Sequence, residues 1–237
     1  MYTGTTKTIN QDRITAIHAP IKGEVRVRKI VKRSNSFPTG KYPSWKMGRM
    51  MHWRSLNILA AFYLLDAMPS VASFREEALK IDYQYQGKHG VFYPDLLVQI
   101  DGRRELWTIK PKKLAGLPDE IALAQFLRTE LSRHGLYYRV VIAELLNEEP
   151  LQSNLIRLIQ FGKHPVPLID QEQARQLLSQ SNAIDWEAIS SGVLGSNGRQ
   201  VICRLALDGL VRFNIKELWS EKTTFQLIAA PSKSGGD

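Results

Sequence analysis

An aspartate-glycine pair, Asp101-Gly102, separates two apolar runs, Asp95–Ile100 and Arg104–Lys110. Such a pair is the strongest short-range signal for a two-residue hairpin turn. Counting back along both arms from that turn sets Asp95 opposite Thr108. Side chains repeat with period two along a strand, so Lys110 projects on the face of Thr108. Asp95, Thr108 and Lys110 then converge on one patch, provided that no bulge shifts the register by one residue. A carboxylate beside a lysine suits hydrolysis at a hard divalent cation. The acid holds the ion, the ion acidifies a water, and the ammonium stabilises developing negative charge. The plainer alternative is a surface hairpin with a solvated Lys110 and with Asp95 capping a turn.

The surrounding elements read as a mixed α/β core. Glu24–Val31 alternates Val/Ile with Arg/Lys like a strand. Met50–Ala67 is apolar around much of a helical circumference, which predicts a buried helix ended by Pro69. Leu79–Tyr83 alternates as a strand. Pro118–Arg133 reads as a helix with Asp119 as its N-cap, Tyr137–Ala143 as a β-branched buried strand, and Asn154–Phe161 as a short helix. Pro165 and Pro167 mark a linker. Helical stretches follow over Gln171–Gln180, Asp185–Ser191 and Arg199–Asp208, then strand-like pieces over Leu210–Ile215 and Thr224–Ala229. Three helices and a two-stranded wing are the order of a winged-helix domain. The expected division is a basic lead-in over 1–48, an α/β domain over 49–165, a winged-helix-like domain over 166–230 and a disordered tail over 231–237.

The net charge of +9 lies at one end. Residues 1–50 hold eleven Lys/Arg against two acids, while the rest of the chain balances 21 bases with 21 acids. A basic arm on a neutral body suits a polyanion, and double-stranded DNA is the expected partner, through Arg26, Arg28, Lys29, Lys32, Arg33, Lys41, Lys46 and Arg49. A solubilising basic tail is the alternative. One cysteine, Cys203, excludes a disulfide framework and a cysteine zinc cluster. The longest apolar run, Ile58–Leu65, is too short to cross a bilayer, so no membrane role is expected. The five histidines have no metal-ligand spacing.

Tyr93-Pro94-Asp95 on one strand and Thr108-Ile109-Lys110 on the next resemble the PD-(D/E)xK nuclease pattern. Several further features, in order, resemble the TnsA family. They are Gly40-Lys41-Tyr42-Pro43-Ser44-Trp45-Lys46 with Gly48-Arg49, His52-Trp53-Arg54-Ser55-Leu56 opening an apolar helix, Pro69-Ser70-Val71, Phe92-Tyr93-Pro94-Asp95, Ile109-Lys110-Pro111, Gly135-Leu136 and Asn154-Leu155. The resemblance spans about residues 25–230. It implies a restriction-endonuclease-like fold in a subunit of a heteromeric bacterial transposase, working in the cytoplasm. That subunit cuts 5′ ends at transposon termini, beside a DDE-type transposase and an ATPase regulator docked on the C-terminal domain. It also implies Mg²⁺, with Asp95 as ligand and Lys110 positioning water. The chain departs from the pattern where the family carries acids. Arg54-Ser55-Leu56-Asn57-Ile58 replaces a Glu-Ser-x-x-Glu stretch, and Thr108 stands where Gln or Glu is usual. The metal candidates are therefore Asp95 and Thr108, with Glu76 or Glu77 as replacements for the lost acid. A catalytically inactive subunit, serving DNA binding and assembly, is the alternative; a winged-helix regulator is a third.

Overall fold

The computed structural model describes residues 12–28, 30 and 38–228. Lys29, Lys32, Arg33 and the 231–237 tail lie outside the described residues. In chain order the elements are β1 (Arg13–His18), β2 (Gly40–Ser44), β3 (Arg49–Trp53), α1 (Leu56–Ala67), β4 (Val71–Glu76), β5 (Lys80–Tyr85), β6 (Lys88–Phe92), β7 (Leu96–Ile100) and β8 (Arg103–Lys110). Then come α2 (Lys112–Ala115), α3 (Pro118–Ser132), β9 (Tyr137–Ile142), α4 (Ala143–Leu146), α5 (Leu151–Gly162), α6 (Leu168–Ser181), β10 (Ile184–Asp185), α7 (Trp186–Ser190), α8 (Gly198–Leu207), β11 (Val211–Arg212) and β12 (Thr224–Leu227). The fold is mixed α/β, as expected. The chain forms two compact units that do not follow the 49–165 and 166–230 division. One comprises 1–41, 51–55 and 72–143; the other comprises 42–50, 56–71 and 144–237.

In the first unit, β4-β7-β8-β9 form a four-stranded sheet and β1-β5-β6 a three-stranded antiparallel one. The β7–β8 hairpin has the expected register, Ile100 against Arg103 through Leu96 against Trp107. Asp101 and Gly102 take φ of +47° and +74°, the left-handed pair that a type I′ turn requires and that asparagine, aspartate and glycine tolerate. β9 runs parallel to β8, which demands a crossover; α2 and α3 supply it. Leu127 and Leu131 of α3 pack with Leu106, Tyr138 and Ile81 in an apolar core.

Three local expectations are corrected. Residues 24–28 form bends and irregular chain, with no strand. Their alternating Arg residues are drawn to buried acids, and Val27 N–H makes a single bond to the Glu77 carbonyl. Residues 49–53 are a strand, not the start of a helix. Met51 alone is buried there, between the exposed Met50 and the part-exposed His52. Asp119 lies inside α3 rather than capping it. Leu117 holds the cap position with no side-chain bond, and Pro118 opens the helix, where its missing N–H costs nothing.

In the second unit, α5, α6, α7 and α8 share a core built on Leu155, Leu158, Leu178, Val201, Ile202 and Phe225. β12 lies between β10 and β11. The two expected strands are shorter than their sequence patterns, and β10 was not anticipated. The C-terminus of α1 carries a buried polar clamp. Asp66, with no exposed surface, accepts bonds from Tyr42 Oη at 2.7 Å and Ser44 Oγ at 2.6 Å. Its carbonyl accepts from Trp45 Nε1 at 3.0 Å. Lys46 Nζ donates to the carbonyls of Leu65 and Met68, groups that the helix end leaves without partners. Burial pushes the Lys46 ammonium down to about 8. The Tyr42-to-Lys46 stretch is thus a helix-end clamp, and Lys46, expected as a DNA contact, is part of it.

Truncating Asp66 strands two buried hydroxyls. Asp66→Ala is expected to cost about 3 kcal/mol of stability, and Asp66→Asn, which keeps one acceptor, less; chemical denaturation of both variants measures the difference.

Candidate functional site

Asp95 sits just before β7 and is 4% exposed. Its carboxylate reaches the neighbouring strand, where Ile109 N–H donates to Oδ2 at 2.7 Å. The edge of the β7–β8 hairpin thereby fixes one oxygen. Thr108 is buried on β8 beside Tyr138. Lys110 does not join them: its Nζ pairs with Glu120 in the first turn of α3. Asp95 is thus tied to the Ile109 backbone of β8, and Lys110 is held by Glu120, an acid that the sequence reading did not single out.

Glu76 and Glu77, at the end of β4, are each 1% exposed. Burying an ionised carboxylate is costly unless opposite charge and hydrogen bonds meet it. Glu76 Oε1 accepts from Arg26 Nη1 at 2.7 Å and from His52 N–H at 3.0 Å. Glu77 accepts two parallel bonds from Arg28, 2.7 Å from Nε and 2.8 Å from Nη2, the strongest geometry for this pair. Arg28 also lies over the Tyr93 ring at 4.4 Å, a cation–π contact. The bond to Glu77 raises the Arg28 pKa further, so this cation stays charged.

Arg54 completes the cluster. Its Nε lies 3.0 Å from Glu77 Oε1 and its Nη2 pairs with Asp95 Oδ1. One guanidinium thus bridges the two buried acids. Sequence reading missed this role. The available signal was Arg54 itself, a cation at a position where the family resemblance implies a glutamate.

A divalent cation needs several free oxygen donors. Here Asp95 Oδ1 is taken by Arg54 and Oδ2 by Ile109 N–H, while both oxygens of Glu77 are taken by Arg28 and one also by Arg54. Glu76 is turned to Arg26 and the His52 backbone. Among the described residues no group of three or more His, Cys, Asp or Glu is arranged to hold a metal. The residues present do not fit Mg²⁺: three carboxylates already face three guanidiniums.

The expected DNA-contacting cations are also redistributed. Arg26 and Arg28 are engaged from behind by Glu76 and Glu77. Lys41 is exposed, and Arg49 Nη1 donates to the Met50 carbonyl. On α8, Arg199 bonds Ser190 Oγ and Arg204 pairs with Asp208 at 2.9 Å, while most of the helix is buried. No protein-family model matches the chain, and a search of the curated proteins likewise returns no match.

Burial outweighs Arg54 and pushes the Asp95 carboxyl above the usual carboxylate range. A folded-state pKa raised above its unfolded value favours folding below the unfolded pKa, and that contribution is lost as pH rises through the folded pKa. Asp95→Asn removes this dependence. The stability of the wild type relative to the variant should therefore fall as pH rises from about 4 towards neutrality, as thermal melts across that range would show.

Proposed function

We propose that this chain is a TnsA-like subunit of a heteromeric bacterial transposase that holds DNA at transposon ends and joins its partners without cutting. The observation that carries the non-cutting reading is Arg54, bridging Glu77 and Asp95 where a cleaving enzyme needs oxygen atoms open to metal. A restriction-endonuclease-like core is supported by the β7–β8 hairpin, the parallel β9 and the α2–α3 crossover between them. Asp95, just before β7, and Lys110, at the end of β8, are each closed by an internal ion pair.

The order α6, α7, α8 with the β10-β12-β11 sheet supports a winged-helix-like unit. Its third helix is mostly buried and its arginines are tied to neighbours. That favours docking of protein, an ATPase regulator, over major-groove reading of DNA. The DDE-type transposase is the other expected partner. Among the described residues, no helix is long and apolar enough to cross a membrane.

Calorimetric titration with Mn²⁺ and Mg²⁺ should give no binding heat into the millimolar range, and supercoiled plasmid should stay intact in either ion. Tight binding that disappears in Asp95→Ala, with nicking to match, would restore the endonuclease reading and sink this one.

A further inference from the structure

The acids and the arginines of the cluster differ in depth. Glu76, Glu77 and Asp95 are 1–4% exposed, whereas the side chains of Arg28 and Arg54 are 41% and 44% exposed. Negative charge lies beneath and positive charge faces solvent, so an approaching anion meets guanidinium first. The carboxylates fix the inner nitrogens of both arginines. Among the described residues, Nη1 of Arg28 and Nη1 of Arg54 have no partner. Arg28 also lines a cavity of about 700 Å³ with Arg26, His18 and Lys80, where Glu24 is the one acid among the described residues of the lining.

We infer that Arg54 takes the place of a divalent cation, and that Arg28 and Arg54 bind a backbone phosphate of DNA without metal. The inference rests on the reading of the chain as a DNA-holding subunit and specifies how this site holds it. Guanidinium matches phosphate geometry and carries fixed charge. Buried carboxylates hold both arginines in place, so little side-chain entropy remains to be lost when phosphate binds. DNA is favoured over an acidic peptide because the excess positive charge of the chain lies in the same first fifth that supplies Arg26 and Arg28.

The test is binding of a short fluorescent duplex, measured in EDTA and in Mg²⁺ across a salt series. Wild type should bind equally in both. Arg54→Ala should weaken binding in EDTA by about tenfold, the loss of one charge-assisted contact, and lower the salt slope by about one. Added Mn²⁺ should then restore affinity, because Glu77 and Asp95 are left without their bridging cation, and the double variant Arg54→Ala/Asp95→Ala should not recover. Arg54→Gln keeps donors towards both acids and reports on the charge alone should the alanine variant not fold. Unchanged affinity and salt slope in Arg54→Ala or Arg54→Gln, or a wild type that needs Mg²⁺ to bind, overturns the metal-free seat while leaving the DNA-holding reading intact. A wild type that binds no duplex under any condition overturns both.

Discussion

Three carboxylates almost wholly withdrawn from water, Glu76, Glu77 and Asp95, set the terms for the first unit. An isolated buried carboxylate would surrender its charge rather than stay ionised, and Glu77 and Asp95, which share Arg54, repel one another as well. The structure answers with three guanidiniums and two backbone amides, each aimed at a specific oxygen. Much of the local chain path follows from that requirement. Arg26 and Arg28 must approach the end of β4, so residues 24–28 follow the acids rather than a neighbouring strand. Arg54 must lie at the end of β3, and Asp95 must precede β7 closely enough to reach Ile109 N–H.

The cost of holding these charges together is visible in the backbone. Glu77 takes φ of +45°, a conformation that non-glycine residues adopt at a cost of order 1 kcal/mol or more. Its N–H bonds the Asp95 carbonyl at 3.0 Å and its carbonyl accepts from Val27 N–H at 2.9 Å. The kink lets consecutive residues serve different partners: Glu76 takes Arg26, and Glu77 takes Arg28 and Arg54. A regular strand would send these two side chains to opposite faces with no such control over their angle.

The hairpin was legible in the sequence because it depends on local chemistry. Asp101-Gly102 dictates the turn, and the turn dictates the register that sets Asp95 against Thr108. Strand β9 was legible for a similar reason, a β-branched run after a helix, while its parallel pairing was not. The arginine cluster was not. Arg26, Arg28 and Arg54 meet Glu76, Glu77 and Asp95 across separations of 23 to 50 residues, and no periodicity encodes such a meeting. Counting charge suggested that basic residues early in the chain face a polyanion, yet several are held by acids of the same chain. Lys46 illustrates the limit further: its type suggests phosphate, while its position makes it the cap of α1.

Arginine rather than lysine at position 54 follows from the geometry. Glu77 and Asp95 present oxygens in two directions, and a guanidinium has donors on separate nitrogens in one rigid plane. A lysine there would place a single ammonium that, once centred on one carboxylate, leaves the other short of a partner. A divalent ion could satisfy both acids, but only by displacing donors already at hydrogen-bond distance, and it would then need further oxygens that the site does not offer. Local neutrality is reached with organic cations alone, which makes the cluster self-sufficient. The same arrangement that occupies the acids leaves the outer nitrogens of Arg28 and Arg54 turned away from them.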